Sequence, residues 1–330
     1  MPVAPTHPVP PINIDEWAEQ VRAGDVRAVS RAMTEIENRT GAAEGLVRRL
    51  FPHTGNSYCI GITGAPGTGK STLVDRMAAQ YRSQMQTVGV IAVDPSSPFT
   101  GGAILGDRIR MQGHASDSGV FIRSMATRGS LGGLSQATSD AALLLDAAGK
   151  KYVLIETVGV GQGEVEIARL ADCTLVVLVP GMGDDVQNLK AGLMEIADIF
   201  VVNKADREGA DRFEQQLRAI LQIVPERDGW KPPIALTVAT AGEGIEELAR
   251  QIERFRKHFH GKEARHAKIV ALWKERLLNL LRERVVRRVV DGLANGNVLE
   301  TMAAEVAERK RDPYSAVNEL LARAGWESAH

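Results

Sequence analysis

Gly64 to Ser71 run G-x-x-x-x-G-K-S, and they follow directly on the apolar stretch Tyr58–Thr63. Strand, glycine turn and helix in that order form a cradle for a polyphosphate. The glycines let the backbone turn its N–H groups onto phosphate oxygens, and a helix opening at Ser71-Thr72 adds the positive end of its dipole. Lys70 would reach the β- and γ-phosphates as a point charge while the Ser71 hydroxyl ligates Mg²⁺. A second pattern, Asn203-Lys204-Ala205-Asp206, closes the apolar run Ile199–Val202. A carboxylate at Asp206 can accept from both N1–H and the 2-amino group of guanine, and adenine presents no such pair of donors on that edge. The Lys204 stem would lie along the base, and the Asn203 amide would tie this loop to the phosphate loop.

Three further segments carry the groups that hydrolysis needs. In VLIETVGVGQ at 153–162, Glu156 ends a strand and Gly159 stands three positions on, where its N–H can meet a γ-phosphate. The carboxylate can hold the metal directly or through water. In VDPSSPFTGGAILGDRIRM at 93–111, Asp94 ends the strand that follows the phosphate-loop helix, and Asp107 lies in a glycine-punctuated loop. Both are metal-ligand or water-positioning candidates, and Asp107 could alternatively cap a helix. PGMGDDVQNLKAG at 180–192 is a glycine-rich loop with Asp184, Asp185 and Lys190, or else an ordinary solvated turn.

The elements that must position these groups alternate along the middle of the chain. Continuous apolar runs at 58–63, 88–93, 120–122, 152–155, 175–179, 199–202 and 234–238 lack polar alternation, so both sheet faces are covered. Helical stretches at 73–84, 135–148 and 163–170 lie between them. The pattern predicts a doubly wound α/β domain with a mostly parallel sheet over 58–260 and its ligand at the carboxyl ends of the strands. Residues 1–13 read as a disordered Pro-rich lead, and 14–57 as a helical extension with Asp25 a cap behind Gly24. From 261 to 330 a helical arm is expected, its long first helix carrying Ile269, Leu272, Trp273, Leu277, Leu280, Leu281, Val285 and Val289 at spacings of three and four. Gly292 and Gly296 end that helix, a second covers about 298–309, and a third follows Pro313. The arm is too small for a core of its own and is expected to pack on a second copy or a partner.

Composition bounds the function. The 330 residues suggest about two units, 44% of them are apolar, and the net charge of −1 argues against nucleic acid as main partner. Cys59 and Cys173 fall in strand runs and fit a reducing, cytoplasmic setting. No run reaches the roughly twenty apolar residues of a membrane span, and the Pro-rich start lacks the marks of a signal peptide.

The ordered set ITGAPGTGKST, VDPSS, GGAILGD-x-x-RM, FIR, GSLGG, ETVGVGQ, GDD-x-Q-x-x-K, EIAD and NKAD resembles the MeaB/ArgK family of P-loop GTPases over about residues 15–260. The resemblance implies a homodimeric, Mg²⁺-dependent GTPase joined through its helical arm. Its partner would be an adenosylcobalamin-dependent acyl-CoA mutase, methylmalonyl-CoA mutase above all, whose cofactor loading it gates and which it protects. Residue by residue, it implies Gly64, Ala65, Pro66, Gly67, Thr68, Gly69, Lys70, Ser71 and Thr72 as phosphate loop. It implies Ser71, Asp94, Asp107 and Glu156 around the metal, and Asn203, Lys204 and Asp206 on guanine. VATAGEG at 238–244 matches the family's S-A-x-x-G-x-G loop, with the Ala239 N–H meeting guanine O6 and Val238 in place of the usual Ser. Residues 180–192 match the loop that couples nucleotide state to the mutase, with Lys190 at its lysine. Departures there and at 107–111 leave room for an isobutyryl- or hydroxyisobutyryl-CoA mutase as partner. Cobalamin would belong to the mutase, since this sequence holds no D-x-H-x-x-G motif.

Three rivals share some of these features. A metal-insertion GTPase of hydrogenase or urease maturation normally displays Cys/His ligands, and here Cys59 and Cys173 stand far apart while His258, His260 and His266 have no metal-site spacing. A P-loop kinase would need an acceptor site and usually adenine. A scaffold would rest on the basic face formed by Arg276, Arg282, Arg284, Arg287 and Arg288.

Overall fold

The computed structural model describes residues 13–94, 112–114, 116–126, 136–157, 159, 163–181, 191–223, 225–261, 263–292 and 297–325. Asp107, the loop acids Asp184 and Asp185, Lys190 and the N-terminal lead up to residue 12 lie outside them, as does the side chain of Asp94. The chain divides into two compact units, Met1–Arg265 and His266–His330.

The first unit opens with α1 (Ile14–Arg22), α2 (Val26–Glu37) and α3 (Gly41–Leu50). Each is started by a polar cap: Asn13 accepts from the Asp15 and Glu16 amides, Asp25 from Ala28, and Thr40 from Ala43. Then come β1 (Tyr58–Thr63), α4 (Lys70–Ser83), β2 (Val88–Asp94) and β3 (Val120–Ala126). They are followed by α5 (Gln136–Ala147), β4 (Tyr152–Glu156), α6 (Gly163–Leu170) and β5 (Cys173–Leu178). The unit continues with α7 (Ala191–Ile196), β6 (Ile199–Asn203), α8 (Ala210–Ile223), β7 (Ile234–Thr237) and α9 (Ile245–Phe259).

The seven strands lie in the order β3-β2-β4-β1-β5-β6-β7, every pair parallel. In the inner strands the apolar runs have no polar alternation because both faces are covered, as in β5 and β6, where every residue is buried; at the edge, Leu236 of β7 is exposed. Ile91, Val93, Val153 and Ile155 pack under α1–α3 and α5, while Val176, Phe200 and Val202 pack under α7 and α8 on the same face. On the other face Ile60, Ile62, Val90, Leu154, Leu175, Val177 and Val201 meet α4 and α9. Residues 14–57 therefore share the core of the sheet, with Met33 and Leu46 fully buried in it.

β1 is central, flanked by β4 and β5. After β1 the chain moves to one side of it and after β4 to the other, which opens a crevice at the carboxyl end of β1. Asp94, Glu156 and Asn203 are the last residues of β2, β4 and β6, so the parallel sheet delivers them to that edge together.

In the second unit, α10 (Glu263–Gly292, begun in the first unit), α11 (Val298–Ala307) and α12 (Pro313–Arg323) are the expected helices. Met302 of α11 and Ala316 of α12 are buried, and Arg311 pairs with both Glu305 and Glu319. Along α10, Leu277 and Leu281 are exposed to 63% and 59%.

The segment entering β1 is held from a distance. The Asp146 carboxylate at the end of α5 accepts from the backbone N–H groups of Gly55, Asn56 and Ser57 at 2.5, 3.2 and 2.9 Å. Asp146→Ala leaves three amides to find other partners and should lower the unfolding free energy by about 2–4 kcal/mol. Urea unfolding checks this, and an unchanged midpoint would contradict it.

Candidate nucleotide-binding site

The loop between β1 and α4 is wedged between two neighbours, Asn203 and Gly159. At Gly69, which precedes α4, φ is +90° and an added Cβ would lie 2.5 Å from Asn203 Nδ2. Gly159 approaches from the other side, so closely that a Cβ on it would stand 1.6 Å from the Gly64 carbonyl oxygen and 3.0 Å from Lys70 Nζ. Those two positions have room for backbone only. Beneath them the hydroxyls of Thr157 and Thr63 are bonded at 3.0 Å, and the Thr157 N–H donates to Ile62 O at 3.1 Å, which locks the exit of β4 to that of β1.

Lys70 is 6% exposed. Its ammonium donates to the carbonyls of Gly64 at 2.7 Å and Ala65 at 3.1 Å, folded back over the loop it belongs to. A buried ammonium keeps its charge only with such partners, and a phosphate could take their place with a small swing of the stem. Among the described residues no side chain caps the N-terminus of α4, so its first amides face the loop. Ser71 donates to Glu156 Oε1 at 2.7 Å, both residues being buried. A hydroxyl and a carboxylate oxygen in contact at a helix N-terminus are a hard-oxygen pair of the kind Mg²⁺ selects, so the residues present fit that ion.

The second loop grips the first. Asn203 is 2% exposed; its Nδ2 donates to Thr68 O at 2.8 Å, while its Oδ1 accepts from Thr237 Oγ1 and from the Ala239 N–H, each at 3.1 Å. Lys204, at φ +57°, donates from Nζ to Gly67 O at 2.8 Å. This stretches its stem across the space between the two loops. Asp206 is exposed two residues beyond, with its carboxylate open to solvent.

Most sequence-predicted residues with described side chains therefore meet at one edge: Lys70, Ser71, Glu156, Asn203 and Lys204 together with the glycines. Ala239 is close by, but its N–H points at Asn203 Oδ1, so a base carbonyl would have to take that donor over. Val238 forms a bridge with Glu243 through its backbone. Asp94 has its backbone at the same edge.

Sequence reasoning missed Arg76. From α4 it donates Nε to Ala239 O at 3.2 Å and Nη2 to Thr240 O at 3.0 Å. No motif marks it, and only its placement on the helix that carries Lys70 could have drawn attention to it.

Comparison with known proteins agrees with this geometry. The profile described as "Methylmalonyl Co-A mutase-associated GTPase MeaB" matches residues 29–294. A protein of Pyrococcus horikoshii is 50% identical over 315 residues, covering 93% of this chain and 97% of its own. The GTPase ArgK of Escherichia coli is 39% identical over 249 residues, covering 73% and 75%. The crystal structure of an LAO/AO transport system kinase superposes with a TM-score of 0.70 at 28% identity, over 94% of this chain and 98% of that one.

Glycines of this loop differ in what surrounds them, and substitution should expose the difference. Gly67→Ala meets nothing within 4 Å and suffers only its positive φ of +82°, a cost of about 1–2 kcal/mol. Gly159→Ala must push the phosphate loop aside. Fluorescent-nucleotide titration should show affinity reduced about tenfold or less for Gly67→Ala and well beyond that for Gly159→Ala; the reverse order would contradict the geometry.

Proposed function

The chain belongs to the MeaB family of GTPases, and from that premise we propose that it is a G-protein chaperone of an adenosylcobalamin-dependent acyl-CoA mutase. The mutase would be methylmalonyl-CoA mutase or a relative acting on isobutyryl- or hydroxyisobutyryl-CoA. The observation that carries the guanine part is the Asn203 side chain, which fastens the N-K-x-D loop directly onto the phosphate loop at Thr68. Phosphate and base recognition are thereby set at a fixed separation, as a nucleoside polyphosphate requires.

In this reading Lys70 leaves the Gly64 and Ala65 carbonyls for the β- and γ-phosphates, and the amides of the 64–72 loop hold the α- and β-phosphates. The Gly159 N–H meets the γ-phosphate. Asp206 reads the two donors of guanine, Lys204 flanks the base, and Ala239 N–H passes from Asn203 to O6, with Val238 contributing backbone. Ser71 and Glu156, with Asp94 and Asp107, would hold Mg²⁺, which neutralises phosphate charge when bound. Asp94 or Asp107 would also position the attacking water.

The mutase part draws support from the family's description and from the loop 180–192, where Lys190 would answer both nucleotide and partner. Cobalamin stays with the mutase. Exposed Leu277 and Leu281 on α10 support a homodimer through the C-terminal arm. Among the described residues no helix is long and apolar enough to cross a membrane, in keeping with a cytoplasmic role.

A single base-swap experiment tests both halves. The parent should hydrolyse GTP slowly alone, at roughly 10⁻⁴–10⁻³ s⁻¹, and faster with its mutase. Asp206→Asn loses charge-assisted bonds and should bind GTP at least about tenfold more weakly. It should hydrolyse XTP instead, and mutase should stimulate that XTP hydrolysis. Undiminished GTP binding by the variant would refute guanine recognition through Asp206. Equal rates with and without every candidate mutase would refute the partner.

A further inference from the structure

Asn203 and Lys204 hold the two loops together through groups that belong to the recognition motif, and a nucleotide must compete for some of them. The Ala239 N–H is the clearest case. It is bonded to Asn203 Oδ1 at 3.1 Å, and base recognition requires it to turn to O6. A loop that gives up a tether as its ligand arrives needs another that the ligand does not touch.

Arg76 supplies one. Its guanidinium donates to the carbonyls of Ala239 and Thr240 and so leaves the Ala239 N–H to its own partner. Two donors of a planar fork engage two successive carbonyls, which fixes the orientation of the peptides as well as their distance. The loop is stiff enough to transmit this: Val238 N–H donates to Glu243 O at 3.1 Å, and Gly242 N–H to Ala239 O at 3.3 Å. Because α4 also carries Lys70 and Ser71, the same helix that presents phosphate ligands at its start braces the base loop from its flank.

We propose that Arg76 is a positioning residue for base recognition, holding the 238–244 loop by its carbonyls so that the Ala239 N–H can exchange Asn203 Oδ1 for the base carbonyl without losing its place. This rests on the guanine-nucleotide reading of the site. Arg76 touches neither base nor phosphate in it. Its effect is confined to nucleotides whose base carries an oxygen at C6.

Nucleotide affinities of the parent, Arg76→Ala and Arg76→Lys, measured for GDP, IDP and ADP by competition against a fluorescent GDP with Mg²⁺, test the assignment. GDP and IDP share O6 and should weaken by the same factor in Arg76→Ala, about fivefold to twentyfold. ADP has an amino group at that position and should change by less than about twofold. Arg76→Lys can reach one carbonyl and should recover part of the loss. Equal weakening of ADP would mean that Arg76 merely supports the fold, and an unchanged GDP affinity would mean that the brace is idle; either overturns the proposal while leaving the guanine reading intact. A parent that binds ADP as well as GDP would overturn the guanine reading itself.

Discussion

Asn203 is the joint on which the site depends. Its buried amide engages the phosphate loop at Thr68 through Nδ2 and the β7 exit at Thr237 and Ala239 through Oδ1. A primary amide suits this because it presents donor and acceptor on one flat group. Leaving either half unmatched in the interior costs about 1–3 kcal/mol. Loops after β1, β6 and β7 are thus one object, and the backbone restrictions follow from it: Gly69 has no room for a side chain because Asn203 Nδ2 stands where Cβ would be.

The parallel sheet makes that joint possible. Strands whose both faces are covered end at one edge, and β1, between β4 and β5, brings its loop within reach of Glu156 on one side and, past β5, of Asn203 on the other. Lys70 bonds back onto its own loop and Ser71 bonds to Glu156 Oε1. In the proposed reading, a nucleotide would exchange partners with groups already in place, which limits the ordering cost.

Much of this was legible in the sequence. An apolar run fell on each of the seven strands, because burial on both faces removes polar positions from the inner ones, whereas β3 runs on through Arg123 and Ser124 to Ala126 and β5 begins at Cys173, beyond the runs themselves. The phosphate and N-K-x-D motifs were legible because each is local. What escaped was long-range and made by backbone atoms: Arg76 meets carbonyls 163 and 164 positions away, and Asp146 meets amides 89 to 91 positions away. Carbonyls and amides carry no residue identity, so no letter pattern announces such contacts. The Ala239 N–H, which the family resemblance gives to guanine O6, donates to Asn203 Oδ1, a side-chain contact no motif announces.

Amide hydrogen exchange of Asn203→Ala against the parent, both without nucleotide, tests most directly whether the loops form one object. If Asn203 joins them, protection should fall together in the 64–70 segment and at 237–242, while β1 and α4 beyond its first turn stay protected. Loss of protection confined to the immediate neighbours of residue 203, with the 64–70 segment unchanged, would contradict the account.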